Sequence, residues 1–443
     1  MVFKRSYWSR IEEHPPTTDD PLHLKALMIP VVVAQHAAEA AFLWLLRDVA
    51  AQAPHYSLDD LARLDDRLDA HMDGLRIAAD AGWEICEEAL REENDSGALF
   101  AAAVLAFESG DHDHIQAVLD LGTISDDLFR GVVSALGWLS YVHAEKHITE
   151  LLTDSAPALR RIGIAASSIH RKDTGQVLIQ ALADDDLLVR ACALQAVGEL
   201  GRKDLLAPVQ TSLTSVDNRC RFSAASTAAL LGDLDSVFVL QAIAGLAGPY
   251  RDKAAKLAFR RMDAAAALRS QKELAESAES IRFAVMGAGA IGDPRVIPWL
   301  IDQMKISALA RVAGEAFTMI TGVDIAYEDL GGEKPEGFDS GPTEDPNDEN
   351  VEMDPDENLP WPDPPLIQKW WSNHRQNFQN GTRYLIGKPI TEEWLQQVLR
   401  VGRQRQRTAA ALELVLKRPG QPLFEVRAPG FRQQQMLGLK VTK

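Results

Sequence analysis

Cysteine is scarce in this chain, and its three copies are far apart. Cys86, Cys192 and Cys220 have no spacing that is typical of metal ligands. This scarcity argues against a metal site built on cysteine and predicts a reducing compartment.

Long uninterrupted apolar segments are also missing. The longest, residues 28–46, carries Gln35, His36 and Glu39 in its middle, and a bilayer core would penalise such side chains. We therefore predict a buried helix there and no membrane partner. Because no apolar leader headed by lysine or arginine stands at the N-terminus, we also expect a cytoplasmic protein.

The sequence lacks a G-x-S-x-G elbow, a Walker loop and a cysteine nucleophile with a local signature. Gly287, Gly289 and Gly292 do match G-x-G-x-x-G, but the residues that follow predict a helix, whereas a dinucleotide site needs a second strand that ends in an acid. Gly292 also fits the repeat register described below. We interpret the three glycines as a close-packed helix and its turn.

Two histidine pairs invite a metal-site hypothesis. His143 and His147 stand four apart, but Glu145 lies between them, whereas a zincin needs its glutamate directly after the first histidine. His112 and His114 fall in a turn between helices, where solvated or capping roles are more common. We predict no metal, no cofactor and no enzymatic activity.

The dominant positive feature is a periodic arginine. Seven arginines recur every 29 to 31 residues, and each opens an alanine-rich apolar run: Arg130, Arg160, Arg190, Arg221, Arg251, Arg282 and Arg311. A period of this length is typical of stacked helical hairpins. A single hairpin cannot bury its apolar face, so its neighbours must cover it.

Each repeat predicts a first helix, a tight turn and a second helix. The positions three, four, seven and ten after two of these arginines form one apolar helix face: Ala193, Leu194, Val197 and Leu200, then Ala224, Ala225, Ala228 and Leu231. Gly201 and Gly232 then end the first helices, and second apolar runs follow at 205–213 and 234–240. Asp186 and Asp217, four residues before their arginines, either pair with a repeat arginine or form solvated ion pairs.

These units resemble HEAT repeats of the short, lyase-like kind, as in DDDLLVRACALQAVGELGRKDLLAPV. We predict an all-α fold, a right-handed α-solenoid of HEAT-like hairpins. The predicted divisions are an N-terminal helical cap at 1–90, the repeat solenoid at 91–327, a disordered acidic linker rich in proline and glycine at 328–365, and a basic C-terminal helical module at 366–443.

Charge is divided unevenly along the chain. The net charge is −18, yet residues 328–357 hold thirteen acids against Lys334 alone, and residues 366–443 hold fourteen lysines and arginines against four glutamates. The opposite charges of the module and the solenoid favour docking between them. A basic partner would likewise be drawn to the acidic solenoid, although the negative charge alone also keeps a protein soluble.

The stretch HAAEAAFLWLLRDVAAQ, the repeats and the closing GRQRQRTAAALELVLKRPGQPLFEVRAPGFRQQ resemble a proteobacterial family of HEAT-like proteins. Members of that family are often encoded beside type VI secretion components and their toxins. The resemblance implies a part in that system. Together with the missing catalytic motifs, the missing leader and the negative charge, it predicts an immunity protein that occludes the active face of a nearby, basic toxin, most readily a nuclease. The alternative is an adaptor or chaperone that loads an effector onto the secretion spike.

Candidate partner-binding residues come from two regions. Polar residues of the second helices are expected on the inner face: Asp204, Gln210, Asp235 and Gln241. Acids of the linker could mimic nucleic acid across a toxin cleft, or form an inert solvated tether: Glu344, Asp345, Asp348, Glu349, Asp354, Asp356 and Glu357.

A third function, nucleic-acid binding through the basic module, is disfavoured. It would use aromatic residues near cations, namely Lys369, Trp370, Trp371, Arg375, Arg403, Arg405 and Arg407. A chain of net charge −18 repels DNA, and docking on the acidic solenoid explains the same residues.

Overall fold

The protein is all-α apart from one short ribbon in the part of the chain that the structure describes. A computed structural model describes residues 29–92, 95–338, 340–341 and 354–441. Within them lie 22 α-helices, four short 3-10 turns and a two-stranded antiparallel ribbon. Among the described helices, none is both long enough and apolar enough to cross a bilayer.

Three helices begin the described chain: α1 Pro30–Ala50, α2 Leu58–Ala78 and α3 Asp80–Glu92. The hairpins follow as α4 Ser96–Ser109, α5 His112–Gly122, α6 Asp126–Trp138, α7 Tyr141–Leu152, α8 Pro157–Ile169, α9 Gln176–Ala181, α10 Leu187–Leu200, α11 Leu206–Thr211, α12 Asn218–Leu231, α13 Ser236–Ala244, α14 Arg251–Arg261, α15 Ala264–Ala275, α16 Ile281–Ile291, α17 Ile297–Gln303 and α18 Ser307–Thr321. The C-terminal part comprises α19 Pro364–His374, strands β1 Tyr384–Leu385 and β2 Lys388–Pro389, α20 Glu392–Val401, α21 Gln404–Lys417 and α22 Gly430–Met436.

Local sequence signals account for many helix starts. Ser57 and Asp60 form a capping box at the start of α2, in which the Ser57 hydroxyl accepts from the Asp60 amide at 3.1 Å and the Asp60 carboxylate accepts from the Ser57 amide at 3.0 Å. Asp186 and Asp217 cap α10 and α12 by accepting backbone amides. Both acids therefore serve as helix caps, and neither forms an ion pair with a repeat arginine.

The hairpins form a continuous array. Each first helix, from α4 through α6, α8, α10, α12, α14 and α16 to α18, packs against the first helix of the next hairpin. All seven periodic arginines lie within the first five residues of these helices. The predicted apolar positions after Arg190 and Arg221 are all buried, and Gly201 and Gly232 end their helices with φ of 70° and 103°. The register read from the sequence is therefore confirmed.

The predicted linker is not a free tether over its described parts. Gly332 donates its amide to the carbonyl of Trp361 at 2.8 Å, and the Asp363 amide donates to the carbonyl of Leu330 at 2.9 Å, so residues 330–332 lie beside residues 361–363. Leu330 and Leu359 are buried. The prediction of a disordered linker is wrong for these residues, because they offer apolar side chains and backbone partners to each other.

The basic module docks along the whole array, as the charge argument favoured. It contacts the carboxyl-terminal ends of several first helices: the Tyr384 amide donates to the carbonyl of Gly292, the Ile386 amide to that of Met319, and the Leu423 amide to that of Glu199, each at 2.8 Å. The close approach needs glycine, since a Cβ on Gly292 would lie 2.4 Å from the Tyr384 carbonyl oxygen.

One residue of the module joins the two ends of the array. The Arg405 guanidinium donates to the carbonyl of Gln52, after α1, at 3.0 Å and to the Glu315 carboxylate, in α18, at 2.8 Å. Beside it, the Gln404 amide donates to the carbonyl of Tyr56 at 2.8 Å. The hairpin α20–α21 therefore contacts both the loop between α1 and α2 and the last helix of the array, α18.

Candidate functional site

A cavity of about 460 Å³ lies on the concave side of the array. Its walls come from α1, the first helices α6, α8, α10, α12 and α14, and residues 425–429 of the C-terminal module. Phe129, Val133, Leu188, Ala191 and Phe222 supply apolar wall. A volume of this size with an apolar lining and a few converging polar groups is typical of ligand sites.

Helical periodicity explains why the first helices form the walls. On α6 the lining positions are Phe129, Arg130, Val133, Ser134 and Gly137, which recur at intervals of three and four residues and so share one helix face. The opposite face of each first helix packs in the core. A first helix is therefore covered on its core side and presents its remaining face to the cavity.

The cavity is richer in positive charge than the chain as a whole. Its lining holds six cationic residues, Arg47, Arg130, Arg161, Arg219, Lys253 and Arg427, against four acids, Asp48, Asp126, Glu199 and Glu425. Six against four leaves +2 in a protein whose net charge is −18. The field inside the cavity therefore favours an anion, in contrast to the outer surface.

Asp126 joins three helices at one end of the cavity. Its carboxylate accepts from Arg161 of α8 at 2.7 Å and from Arg219 of α12 at 2.6 Å. These two guanidinium groups hold the pKa of Asp126 well below its usual value. Arg161 also lies over the ring of Phe129, with its Cζ 3.8 Å from the centroid. One carboxylate therefore serves two arginines.

Lys253 is the cavity cation without an acidic partner. Among the described residues its ammonium makes no hydrogen bond or ion pair within 4.0 Å, and its charged neighbour is Arg427. Burial by the surrounding protein and the like charge of Arg427 lower the pKa of Lys253. Arg427 itself pairs with Asp48, whose other carboxylate oxygen lies 3.2 Å from Arg130.

The C-terminal module also borders the cavity. Arg171 donates from Nε to the carbonyl of Leu423 at 2.7 Å and from Nη2 to Glu425 at 2.9 Å, and its Nη1 lies 3.3 Å from Glu199. Arg47 donates to the carbonyl of Ala428 at 2.9 Å. Glu199 and Glu425 are thus already engaged by Arg171.

The polar residues of the second helices that were predicted to bind a partner lie outside this cavity. Asp204, Gln210, Asp235 and Gln241 do not line it; Asp204 pairs with Arg202 at 2.6 Å and Gln210 donates to Asp233 at 3.2 Å. The first helices line the concave side because they pack on one another in succession, and the short second helices cover their outer side. Polar residues occur on both kinds of helix, so polarity alone did not distinguish the two faces.

The same second helices carry an exposed apolar surface, which we call the outer patch. It consists of Leu234, Phe238 and Leu246, with exposed fractions of 64%, 71% and 54%, together with Asp235 and Gln241 beside them. Leu234 lies directly before α13, Phe238 lies in its first turn and Leu246 follows it, so all three belong to the α13 hairpin. Two of the four predicted partner-binding residues, Asp235 and Gln241, thus border a group of exposed apolar side chains.

Two of the predicted linker acids are bound within the protein. Asp356 is buried and pairs with Arg282, and Asp354 pairs with Arg311 at 2.6 Å. Glu357 is exposed. Glu344, Asp345, Asp348 and Glu349 lie outside the described residues. Asp354 and Asp356 therefore cannot act as free mimics of phosphate without breaking these ion pairs.

The G-x-G-x-x-G glycines and the pair His143 and His147 have structural roles. Gly287 and Gly289 lie inside α16, where a Cβ on Gly287 would be 2.4 Å from the Phe259 ring, and Gly292 caps that helix with a φ of 72°. The interpretation as a packed helix and its turn is confirmed. His143 lies 3.1 Å from the Ser140 hydroxyl and His147 lies 3.0 Å from the Phe107 carbonyl. Within the described ranges no three histidine, cysteine or acidic side chains are grouped to hold a metal ion.

Three of the cations predicted for nucleic-acid binding are engaged in protein contacts, whereas Lys369 and Arg375 are exposed. Arg403 donates to the carbonyl of His55 at 2.9 Å, Arg405 pairs with Glu315, and Arg407 is fully buried with its guanidinium on the carbonyl of Leu399 at 2.7 Å. Trp371 is buried as well, and the indole of Trp370 donates to Glu328. Docking on the array therefore accounts for these residues.

Sequence reasoning missed the cavity cations. Arg161 directly follows the periodic Arg160, and Arg219 precedes the periodic Arg221 by two residues. These extra arginines stand one or two positions out of the repeat register, and on a helix that shift turns the side chain to another face. The signal was present as an additional basic residue at two helix starts.

Comparison with known proteins gives no relative to set beside these sites. No family model matches the chain, and no curated protein matches it.

Proposed function

We propose that the protein is a non-catalytic binding protein of the cytoplasm, an immunity protein that neutralises a type VI secretion toxin by binding over its active face. Reading the array as a right-handed solenoid of HEAT-like hairpins is part of this proposal. The observation that carries it is the outer patch, in which Phe238 is 71% exposed beside Leu234 and Leu246. Exposed aromatic and aliphatic groups bordered by polar residues are typical of protein interfaces.

Charge complementarity argues for a basic partner. Asp204 and Asp235 lie exposed on the second-helix side, where the outer patch is, and the chain carries a net charge of −18. A nuclease must present a basic surface to bind phosphate, and an acidic inhibitor steers towards such a surface. Phe238 would then supply the apolar anchor, with Asp235 and Gln241 as the polar rim.

The test is co-expression with the product of the adjacent gene, scored by survival of the host and by activity of the purified pair. Phe238→Asp places a charge in the proposed interface and should weaken the complex by about a hundred-fold or more, with loss of rescue. Val142→Asp is the matched control, because Val142 is 80% exposed on a different second helix, α7. If Phe238→Asp protects the host as well as the unmodified chain does, the outer patch is not the interface.

The adaptor function gives a different result in the same experiment. An adaptor forms the complex through the outer patch but leaves the toxin active, and its loss blocks export. A complex that retains toxin activity would replace the immunity proposal with the adaptor. If no complex with the neighbouring product forms, both are wrong.

The linker keeps a smaller part in the proposal. With Asp354 and Asp356 in ion pairs, a phosphate mimic would depend on Glu357 and on Glu344, Asp345, Asp348 and Glu349. Replacing these five acids by their amides leaves both ion pairs in place. Undiminished inhibition by that variant would remove the linker from the interface.

A further inference from the structure

The charges of the cavity lining are not balanced. Five cations of the lining share two of its carboxylates: Arg161 and Arg219 share Asp126, Arg130 and Arg427 share Asp48, and Lys253 has none. Arg130 has one more acidic neighbour, the exposed Asp127 at 3.3 Å. Cations held close together repel one another, and a bound anion would reduce this repulsion.

Aromatic side chains stand beside these cations. Tyr250 stacks on Phe222 with ring centroids 4.7 Å apart, and Lys253 follows Tyr250 by three residues on α14, so both face the cavity. Phe129, held under Arg161, lies on the opposite wall. The cations of the cavity therefore lie beside an apolar surface that can cover a ring or an alkyl group.

From this juxtaposition we propose that the cavity binds a small anion with an apolar body, whose carboxylate or phosphate lies among Lys253, Arg219 and Arg427 and whose apolar part packs on Phe129 and Phe222. The volume of about 460 Å³ suits a molecule of metabolite size. Arginine binds both kinds of anion through paired donors, and Lys253 adds a point charge. Nucleic acid is a poor occupant, because the chain's net charge of −18 repels a polyanion.

The test uses three naphthalene derivatives of nearly equal size with the full chain in calorimetric titrations at low salt. 2-Naphthoate and 2-naphthyl phosphate carry the anion, and 2-naphthamide is the neutral control. We expect at least one of the two anions to bind about ten-fold or more tightly than the amide. Tighter binding of the phosphate than of the naphthoate would identify a phosphate ester as the natural class, and the reverse order a carboxylate.

Variants locate the site. Lys253→Gln and Arg219→Gln should each weaken binding of the preferred anion by about ten-fold, since each removes a cation from the pocket. Lys272→Gln, on the exposed surface of α15, is the control and should bind as the unmodified chain does. Thermal melts of each variant verify folding. Equal affinity for the anions and the amide, or unchanged binding by Lys253→Gln, would overturn the proposal.

The cavity and the outer patch lie on different helix sets, so the two proposals fail separately. Lys253→Gln should leave rescue and complex formation intact, and Phe238→Asp should leave anion binding intact.

Discussion

Arg282 holds Asp356 through two hydrogen bonds, from Nη1 to Oδ2 at 2.8 Å and from Nη2 to Oδ1 at 2.5 Å, across 74 residues of sequence. Arg311, the next periodic arginine, donates to the carbonyl of Asp356 at 3.1 Å and lies over the ring of Trp361. Earlier in the array, Arg160 and Arg190 instead bind the turn that contains Asp184. The same arginine position thus binds its own hairpin turns in the middle of the array and the linker at its end.

Removing the ion pair between Arg282 and Asp356 should destabilise the end of the array. Asp356→Asn leaves Arg282 without its counter-charge in a site where the Asp356 side chain is 7% exposed, so we expect a loss of about 2 kcal/mol in the free energy of unfolding. Urea denaturation measures it. Glu357→Gln, at the exposed neighbouring position, should change stability by less than about 0.5 kcal/mol. Equal effects of the two changes would show that the ion pair contributes nothing specific.

A second prediction concerns the buried glutamate that joins the module to the array. Glu413 accepts from Arg260 at 2.9 Å and from Arg383 at 2.5 Å, and its side chain is 2% exposed. Glu413→Gln leaves two guanidinium groups without a carboxylate, which should cost about 3–5 kcal/mol. Glu392→Gln breaks the exposed pair with Arg418 and should cost about 1 kcal/mol or less. Denaturation midpoints that match for the two variants would contradict this.

A third prediction separates two glycines of one helix. Gly287→Ala places a Cβ 2.4 Å from the buried Phe259 ring, so overpacking should destabilise the protein by about 1–3 kcal/mol. Gly289→Ala meets Ala316 at 3.1 Å, and the gain in helix propensity offsets part of that smaller strain. In thermal melts the Tm of Gly287→Ala should therefore be well below that of Gly289→Ala. If these glycines instead formed a dinucleotide site, both substitutions would affect ligand binding more than stability.

A fourth prediction is a pH dependence that arises from His170. Burial lowers the pKa of His170 to about 4, and its Nε2 lies 2.9 Å from the carbonyl oxygen of Leu136. Since the folded pKa is below the unfolded value of about 6.5, the contribution to stability is complete above pH 6.5 and is lost as the pH falls towards 4. The loss should be on the order of 2 kcal/mol.

His170→Gln retains an N–H donor for the Leu136 carbonyl but does not titrate. Comparing urea denaturation of the two proteins at pH 7 and at pH 4.5 isolates the histidine from the carboxylates that titrate in the same range. The unmodified chain should lose more stability than His170→Gln on acidification. A difference that does not change with pH would show that His170 is protonated equally in both states.

Local features of the fold were predictable from the sequence because they depend on nearby residues. The arginine period located the first helices, and Gly201 and Gly232 were correctly assigned as their ends, since helix caps and apolar faces repeat within about ten residues.

Contacts between distant segments were not predictable in the same way. The spacing of Asp356 gives no sign of Arg282, and an acidic segment rich in proline has the composition of a free linker whether or not a few of its acids find partners. The cavity was missed for a related reason, because Asp126 and Arg219 meet only through the curvature of the array, across 93 residues of sequence. That curvature depends on small rotations between successive hairpins, and a single sequence does not specify them.

The hydrogen bonds that Arg405 makes to two distant parts of the chain affect how cooperatively the protein unfolds. In an open repeat array each unit is stabilised only by contacts with its neighbours, so the ends fray and the units unfold in succession. Here α20–α21 contacts both Gln52 and Glu315, and residues 419–432 run past the hairpins between them. Loss of any one hairpin also costs contacts with this shared segment. The chain should therefore melt as one cooperative unit, with an m-value close to that of a globular domain of its size.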